Sequence, residues 1–266
     1  KIKIADINNN SPLMDENKIE KLITKKTKVI IPVHMGGRCA NMKTISKIAK
    51  KYNCFVIEDA AQALLSKNRD IKPGKFSDLT CYSFSVAKLI STGQGGFITT
   101  NNRKLYNQLK LIRTHGVENV IDVKYKWPKF GFNFRFNDIL SSIGLEQLKQ
   151  IDTKSRKLKT IYKKYYNGLK NLEKVKVIAV DIKSGEIPLY VEVLCKTRVK
   201  LINFLKKNNI EARPFYPDIS TAEYLNKDSR KIKLSNYHKY GLYLPTGPNQ
   251  KLSDIDIVIS KLQIFD

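Results

Sequence analysis

The 266-residue sequence predicts an α/β fold with a mostly parallel sheet flanked by helices. Three observations carry that prediction. Apolar runs of strand length recur at Lys28–His34, Cys54–Ile57 and Leu79–Ser85. Segments with helical apolar spacing lie between and after them. The runs are continuous rather than alternating, as expected of strands covered on both faces.

In chain order, KVIIPVH (Lys28 to His34) reads as the first strand. Met42 to Tyr52 reads as a helix, because Ile45, Ile48 and Ala49 share one face. CFVI (Cys54 to Ile57) is the next strand and runs into Glu58-Asp59. LTCYSFS (Leu79 to Ser85) and GFITT (Gly96 to Thr100) follow as strands, the latter closed by an Asn101-Asn102 turn. Lys104 to Arg113 is helical, with Leu105, Leu109 and Ile112 on one side. Thr114 to Phe136 is rich in aromatics and glycine. A long helical stretch then runs from Asn137 to about Leu169 with a break, carrying Ile143, Leu145, Leu148 and Ile151 early on. Val175–Val180 and Leu189–Cys195 read as strands and Arg198–Asn208 as a helix. These assign residues 1–155 to a large domain and 156–266 to a smaller C-terminal α/β domain. The junction is expected to be a soft hinge, since a helix and no Pro/Gly/Ser linker connects the two.

Composition narrows the function classes. The formal net charge is +25, which raises the question of a nucleic-acid or acidic-membrane partner. The charge is mostly Lys and spread along the chain, with no zinc finger, RNP segment or basic heptad region, so nucleic acid is not expected. A basic surface also suits an anionic small substrate such as a nucleotide diphosphate. The four cysteines are scattered with no CxxC pair, which predicts a reducing, cytoplasmic setting and no metal site. No apolar run approaches the roughly 20 residues of a membrane span, and the first residues lack a signal-peptide core, so no membrane partner is expected.

The chemistry concentrates between Val56 and Phe97. In parallel sheets, functional residues gather at the carboxyl ends of strands, where His34 and Asp59 fall. Asp59 reads either as a helix N-cap or as a carboxylate that pairs with a pyridinium. Gln62, three residues on, shares its face on a short helix and is either solvated or bonded to a ring hydroxyl. Lys88 follows CYSFSVA and precedes LISTGQGGF. Partial burial there disfavours its charged form and makes the amine nucleophilic; the alternative is a snorkelling surface lysine. Ser83 and Ser85 are ordinary strand hydroxyls or phosphate donors. The turn Thr92–Gly96 is a plain hairpin or lets backbone approach the lysine; it lacks the GxxxxGKS/T spacing of a nucleotide triphosphatase. An acid, a hydroxyl and a lysine are what an enzyme needs to hold pyridoxal 5'-phosphate. The acid keeps the ring nitrogen protonated, the hydroxyl cradles the phosphate and the amine forms the Schiff base.

VIEDAAQA, YSFSVAK, STGQGG, RTHG at Arg113–Gly116 and GFNFRFNDILSSIGLEQL at Gly131–Leu148 occur in that order. Together they resemble the DegT/DnrJ-type nucleotide-sugar aminotransferases of the aspartate aminotransferase superfamily. The resemblance covers nearly the whole chain and is strongest from Val29 to Leu148. It implies the fold of type I PLP-dependent transferases. It implies that Asp59 pairs with the pyridine nitrogen, Gln62 lies beside the ring hydroxyl and Ser83 binds phosphate. Lys88 is then the Schiff-base lysine and proton shuttle. Asn133 would reach the phosphate of a neighbouring subunit, which implies a homodimer with a shared active site. The implied reaction moves an amino group, usually from glutamate, to a keto-sugar on a nucleoside diphosphate. Its product is an amino sugar for polysaccharide or glycoconjugate synthesis.

Arg213-Pro214-Phe215 resembles the perosamine-synthase-like branch, and His34, Arg213 and Tyr216 are candidate substrate contacts. Three departures accompany the resemblance. The family's N-terminal segment, with its phosphate turn and stacking aromatic, has no counterpart, so an incomplete large domain is expected. Asp218-Ile219-Ser220 stands where a histidine is often found, and Gln94 where glutamate is commoner. Lys88 argues against the dehydratase branch, which has histidine there. The competing expectation is a truncated, non-catalytic homologue or a basic binding protein.

Overall fold

The computed structural model describes residues 1–118, 121, 127, 129–225 and 235–266. Part of the aromatic segment read between Thr114 and Phe136 therefore lies outside the described residues. The described residues build two four-stranded sheets.

The first sheet runs β1 (Val29–Ile30), β2 (Phe55–Asp59), β3 (Leu79–Ser83) and β4 (Gly96–Thr99), in that spatial order. The first two pairings are parallel and the last is antiparallel. Regular pairing in β1 is shorter than the apolar run KVIIPVH. Pro32 has no N–H to give, yet its carbonyl accepts from Asp59 N at 2.9 Å and His34 N donates to Asp59 O at 2.9 Å. The chain thus stays beside β2 up to His34 without forming a full ladder.

Helix α1 (Met42–Lys51) starts where the Asn41 side chain accepts from Thr44 N. Its Ile45, Ile48 and Ala49 pack with Ile30 and Val56 in one buried cluster. Among the described residues, one face of this part of the sheet is covered. Phe55 is 55% exposed and Ile31 53%, against the sequence expectation of burial on both sides. A continuous apolar run reports that a strand can be covered twice; within this single chain, α1 covers one side.

Helix α2 (Arg103–Arg113) follows β4, with Asn102 as its cap. The long helical stretch is two helices, α3 (Asp138–Lys149) and α4 (Ile151–Leu169), separated at Gln150. The expected domain boundary near residue 155 falls within α4. Leu158 packs with Leu89, Ile187 and Leu189, whereas Ile161, Tyr165 and Leu169 pack into the core of the second sheet.

That second sheet is antiparallel, with β5 (Lys176–Val177), β6 (Val191–Leu194), β8 (Gly241–Leu244) and β7 (Arg213–Pro214) in spatial order. Helices α5 (Arg198–Lys207) and α7 (Leu252–Phe265) add Leu201, Leu205, Ile255 and Leu262 to its core, while the short α6 (Asn236–Tyr240) leads into β8. The pairing at β7 has no periodic signal because it is two residues long and contains Pro214, which suits an edge position.

Leu262 is fully buried between α7 and this sheet. Leu262→Ala is expected to cost about 2–5 kcal/mol through lost contacts and the residual cavity. The exposed Ile264→Ala should stay within about 0.5 kcal/mol of the parent. Equilibrium urea unfolding of the two variants checks the contrast.

Candidate active site

Strand β2 delivers two adjacent carboxylates to opposite sides of the sheet, as the two-residue period requires. Glu58 points inward and is fully buried; its Oε2 lies 2.7 Å from His34 Nε2, and its Oε1 accepts from Gly74 N at 2.8 Å. Ala40 N donates to His34 Nδ1 at 3.0 Å. The proton of a neutral His34 therefore sits on Nε2 and is given to Glu58. His34 is 1% exposed with both ring nitrogens engaged. This corrects the expectation that His34 contacts substrate: its ring is a buried strut between β2 and the segment before α1.

Asp59 emerges on the other side. Its Oδ1 accepts from Ala61 N at 3.0 Å, so it caps the turn that follows β2. Capping occupies one oxygen, and Oδ2 is left as a second acceptor. The two sequence readings of Asp59 are therefore compatible. Gln62 lies one turn further on, and its Oε1 accepts from Gly36 N at 2.7 Å.

Strand β3 runs parallel to β2 and ends at Ser83. Ser83 Oγ lies 3.3 Å from Ser85 Oγ and accepts from Ser85 N at 3.2 Å. The chain then turns back to β4, held by Phe84 N to Gly95 O at 2.9 Å and Thr92 N to Phe84 O at 2.9 Å. Lys88 sits in this connection, its backbone N–H donating to Ser85 O at 3.1 Å. Burial lowers the pKa of its amine below the ordinary lysine value, and the nearby Asp59 carboxylate opposes that shift. Lys88 is thus half-buried and within the electrostatic reach of Asp59 rather than a fully solvated surface lysine.

Gln62, Ser83 and Lys88 line one small cavity together with Leu89, Ile187 and Leu189. The last two come from the segment leading into β6, so the second lobe supplies one apolar wall. Gly37 permits the approach: it has φ +90°, and a Cβ there would come within 1.8 Å of Ile187 O. Tyr190 extends the same wall, its hydroxyl donating to Ala87 O at 3.2 Å, next to Lys88.

The structure does not bring every predicted residue into this cavity. Asn133 is exposed, bridged to Thr114, and accepts from Arg135 Nε at 3.0 Å. Arg213 is exposed and paired with Glu211 at 2.7 Å. Tyr216 is exposed and packs edge-on against Tyr243. The residues missed by sequence reasoning are Gly36, Ile187, Leu189 and Tyr190. A Gly-Gly pair beside a strand end is a visible signal for Gly36. The other three carry no local signal for the site, because they reach Lys88 across about a hundred residues of chain.

The donor set suits a phosphorylated pyridine aldehyde. The half-buried Lys88 amine, the Ser83 hydroxyl, the Gln62 amide and apolar walls line the cavity, while the Asp59 carboxylate, which influences Lys88, and Ser85, bonded to Ser83, lie outside that lining.

The sequence model described as the DegT/DnrJ/EryC1/StrS aminotransferase family matches residues 1–263. GDP-perosamine synthase of Caulobacter vibrioides is 34% identical over 257 residues, covering 94% of this chain and 69% of the relative. GDP-perosamine synthase of Escherichia coli O157:H7 is 32% identical over 268 residues, covering 98% and 72%. Among solved structures, Helicobacter pylori PseC, an aminotransferase involved in the biosynthesis of pseudoaminic acid, superposes with a TM-score of 0.89 at 26% identity. That match covers 97% of this chain and 72% of PseC.

Because burial lowers the Lys88 pKa and Asp59 raises it, the two effects separate in a labelling titration. Competitive amine acylation read by mass spectrometry should give Lys88 a midpoint below that of exposed lysines. Asp59→Asn removes the opposing charge and should move the midpoint further down.

Proposed function

Since the chain belongs to the DegT/DnrJ/EryC1/StrS aminotransferase family, we propose that it transfers an amino group to a nucleotide-linked keto-sugar with pyridoxal 5'-phosphate bound at Lys88. It is a sugar aminotransferase with the fold of its structural relatives. The observation that carries the cofactor reading is the cavity itself. It gathers Gln62, Ser83 and a Lys88 amine that burial makes easier to deprotonate and that senses Asp59.

In this reading Lys88 holds the cofactor covalently, and Asp59 keeps the pyridine nitrogen protonated. Ser83, with Ser85 beside it, binds the phosphate, and Gln62 meets the ring hydroxyl. Bound there, the cofactor supplies an electron sink for the amino group's carbon. With an amino donor such as glutamate in the site, a free Lys88 amine would act as general base and acid at the donor's reacting carbon. The partial burial that lowers its pKa increases the fraction of amine able to do so. Leu89, Ile187 and Leu189 limit water around the reacting atoms.

The relatives named GDP-perosamine synthase support a nucleotide-sugar substrate. The +25 charge favours capture of its diphosphate, and the exposed Arg213 and Tyr216 remain candidate contacts for it. The product is an amino sugar for polysaccharide or glycoconjugate synthesis. Ile139, Ile143, Leu145 and Leu148 on α3, and Phe130, Phe132 and Phe134 before it in the chain, are exposed apolar side chains that a second copy would cover. Asn133 sits among those aromatics, where it can serve a neighbouring copy's phosphate. Among the described residues no helix is long and apolar enough to cross a membrane, and a cytoplasmic setting fits a substrate of this kind.

Purified protein mixed with pyridoxal 5'-phosphate should gain visible absorbance, and borohydride should fix the cofactor on Lys88. It should also aminate a nucleotide-linked keto-sugar with glutamate. Lys88→Ala should lose the fixed adduct and about 10²–10⁴-fold or more of turnover, the range for a positioned base. A wild-type protein with no adduct and with salt-sensitive nucleic-acid binding would instead support a non-catalytic basic binding protein.

A further inference from the structure

We propose that Arg38 and Glu192, a buried ion pair joining the two lobes, are positioning residues for Gln62 and act on it through the Gly36 peptide. The proposal rests on the reading of the cavity as a pyridoxal 5'-phosphate site.

The Gln62 side-chain amide presents an acceptor at one end and a donor at the other, and the two ends have nearly the same shape. The Gly36 N–H, at 2.7 Å from Oε1, decides between them. The carbonyl end must face Gly36, and Nε2 is left as the donor. A donor is what an ionised ring hydroxyl requires; the reversed amide would set two oxygens against each other.

Gly36 is held in turn. It has φ +62°, in the left-handed region, and its carbonyl accepts from Leu189 N at 3.2 Å. A Cβ at this position would lie 2.5 Å from Arg38 Nη1 and 2.9 and 3.0 Å from the two Glu192 carboxylate oxygens. The ion pair therefore packs directly against the glycine's α-carbon. The pair has little freedom of its own. Arg38 is 2% exposed, and its Nη1 lies 2.5 Å from Glu192 Oε2. Its Nε donates to Ala179 O at 2.8 Å and its Nη2 to Ile178 O at 3.1 Å.

Stability alone is a poor reason for this arrangement. Buried ion pairs seldom improve on a well-packed apolar substitute. This one also leaves Glu192 Oε1 buried without a hydrogen bond. Its geometric effect is to fix one peptide, and that peptide selects the orientation of Gln62.

A double-mutant cycle tests the coupling with wild type, Glu192→Gln, Gln62→Ala and the double variant. In protein without cofactor, Glu192→Gln should speed hydrogen exchange at the Gly36 amide by about tenfold, the scale of one weakened hydrogen bond. In cofactor-loaded protein, Glu192→Gln and Gln62→Ala should move the pH midpoint of the visible absorbance in the same direction. The double variant should move it no further than Gln62→Ala alone. Unchanged Gly36 exchange, an unmoved midpoint, or additive shifts in the double variant would overturn the proposal. If Glu192→Gln does not fold, Arg38→Lys, which keeps the charge and loses the planar fork, takes its place in the same cycle. Borohydride fixation on Lys88 in the wild type separates the two levels. Its absence overturns the cofactor reading and this proposal together, whereas fixation without coupling overturns this proposal alone.

Discussion

Between His34 and Cys39 the chain turns its backbone and side chains toward both sheets at once. His34 meets Glu58 beneath the first sheet. Gly36 donates its N–H to Gln62 Oε1, and its carbonyl accepts from Leu189 N. Arg38 reaches Glu192 on the second sheet, and Cys39 N donates to Glu186 Oε1 at 2.8 Å. The cavity exists because these bonds hold the wall of Ile187 and Leu189 against the ends of β2 and β3. Further ties, such as Ile187 N to Ser66 Oγ and Arg69 N to Ser184 O, make the junction a cross-linked seam. A soft hinge, the expectation drawn from the connecting helix, would require those bonds to break.

On that frame, sheet topology decides where the chemistry goes. Parallel pairing of β2 with β3 brings Asp59 opposite Cys81 and puts both strand ends on one edge. Antiparallel return into β4 then pairs Ser83 with Gly96, so the connection carrying Lys88 folds back over that edge. The amine there is subject to two opposed influences. Desolvation favours the neutral form and the Asp59 carboxylate favours the charged one. Desolvation is the larger of the two, so the amine lies below the ordinary lysine value.

Much of this was legible in the residues themselves. Ile45, Ile48 and Ala49 predicted α1, and the apolar runs located the strands of the first sheet to within a few residues. Asp59, Gln62, Ser83 and Lys88 stand out by type and order, and the fold brings Gln62, Ser83 and Lys88 to one cavity. His34 was misread because its position at a strand end is equally that of a ligand contact and of a strut. Only the approach of Glu58 and Ala40 on opposite sides of the ring distinguishes them. Residues 241–244 and 252–265 passed unassigned, since four residues are too few for a period and the apolar face of α7 has meaning only against β6 and β8.

The sequence by itself determined the family, the α/β class and the chemical types at the site. Those depend on local spacing and on residue identity, which a chain carries without folding. Tertiary structure alone decided which face of the sheet is covered, that His34 is a buried strut, and that the second lobe closes the cavity. It also decided which end of the Gln62 amide serves as the donor. Each of these depends on groups distant along the chain, such as Gly36 with Leu189 and Arg38 with Glu192, and no local pattern records a contact that only folding creates.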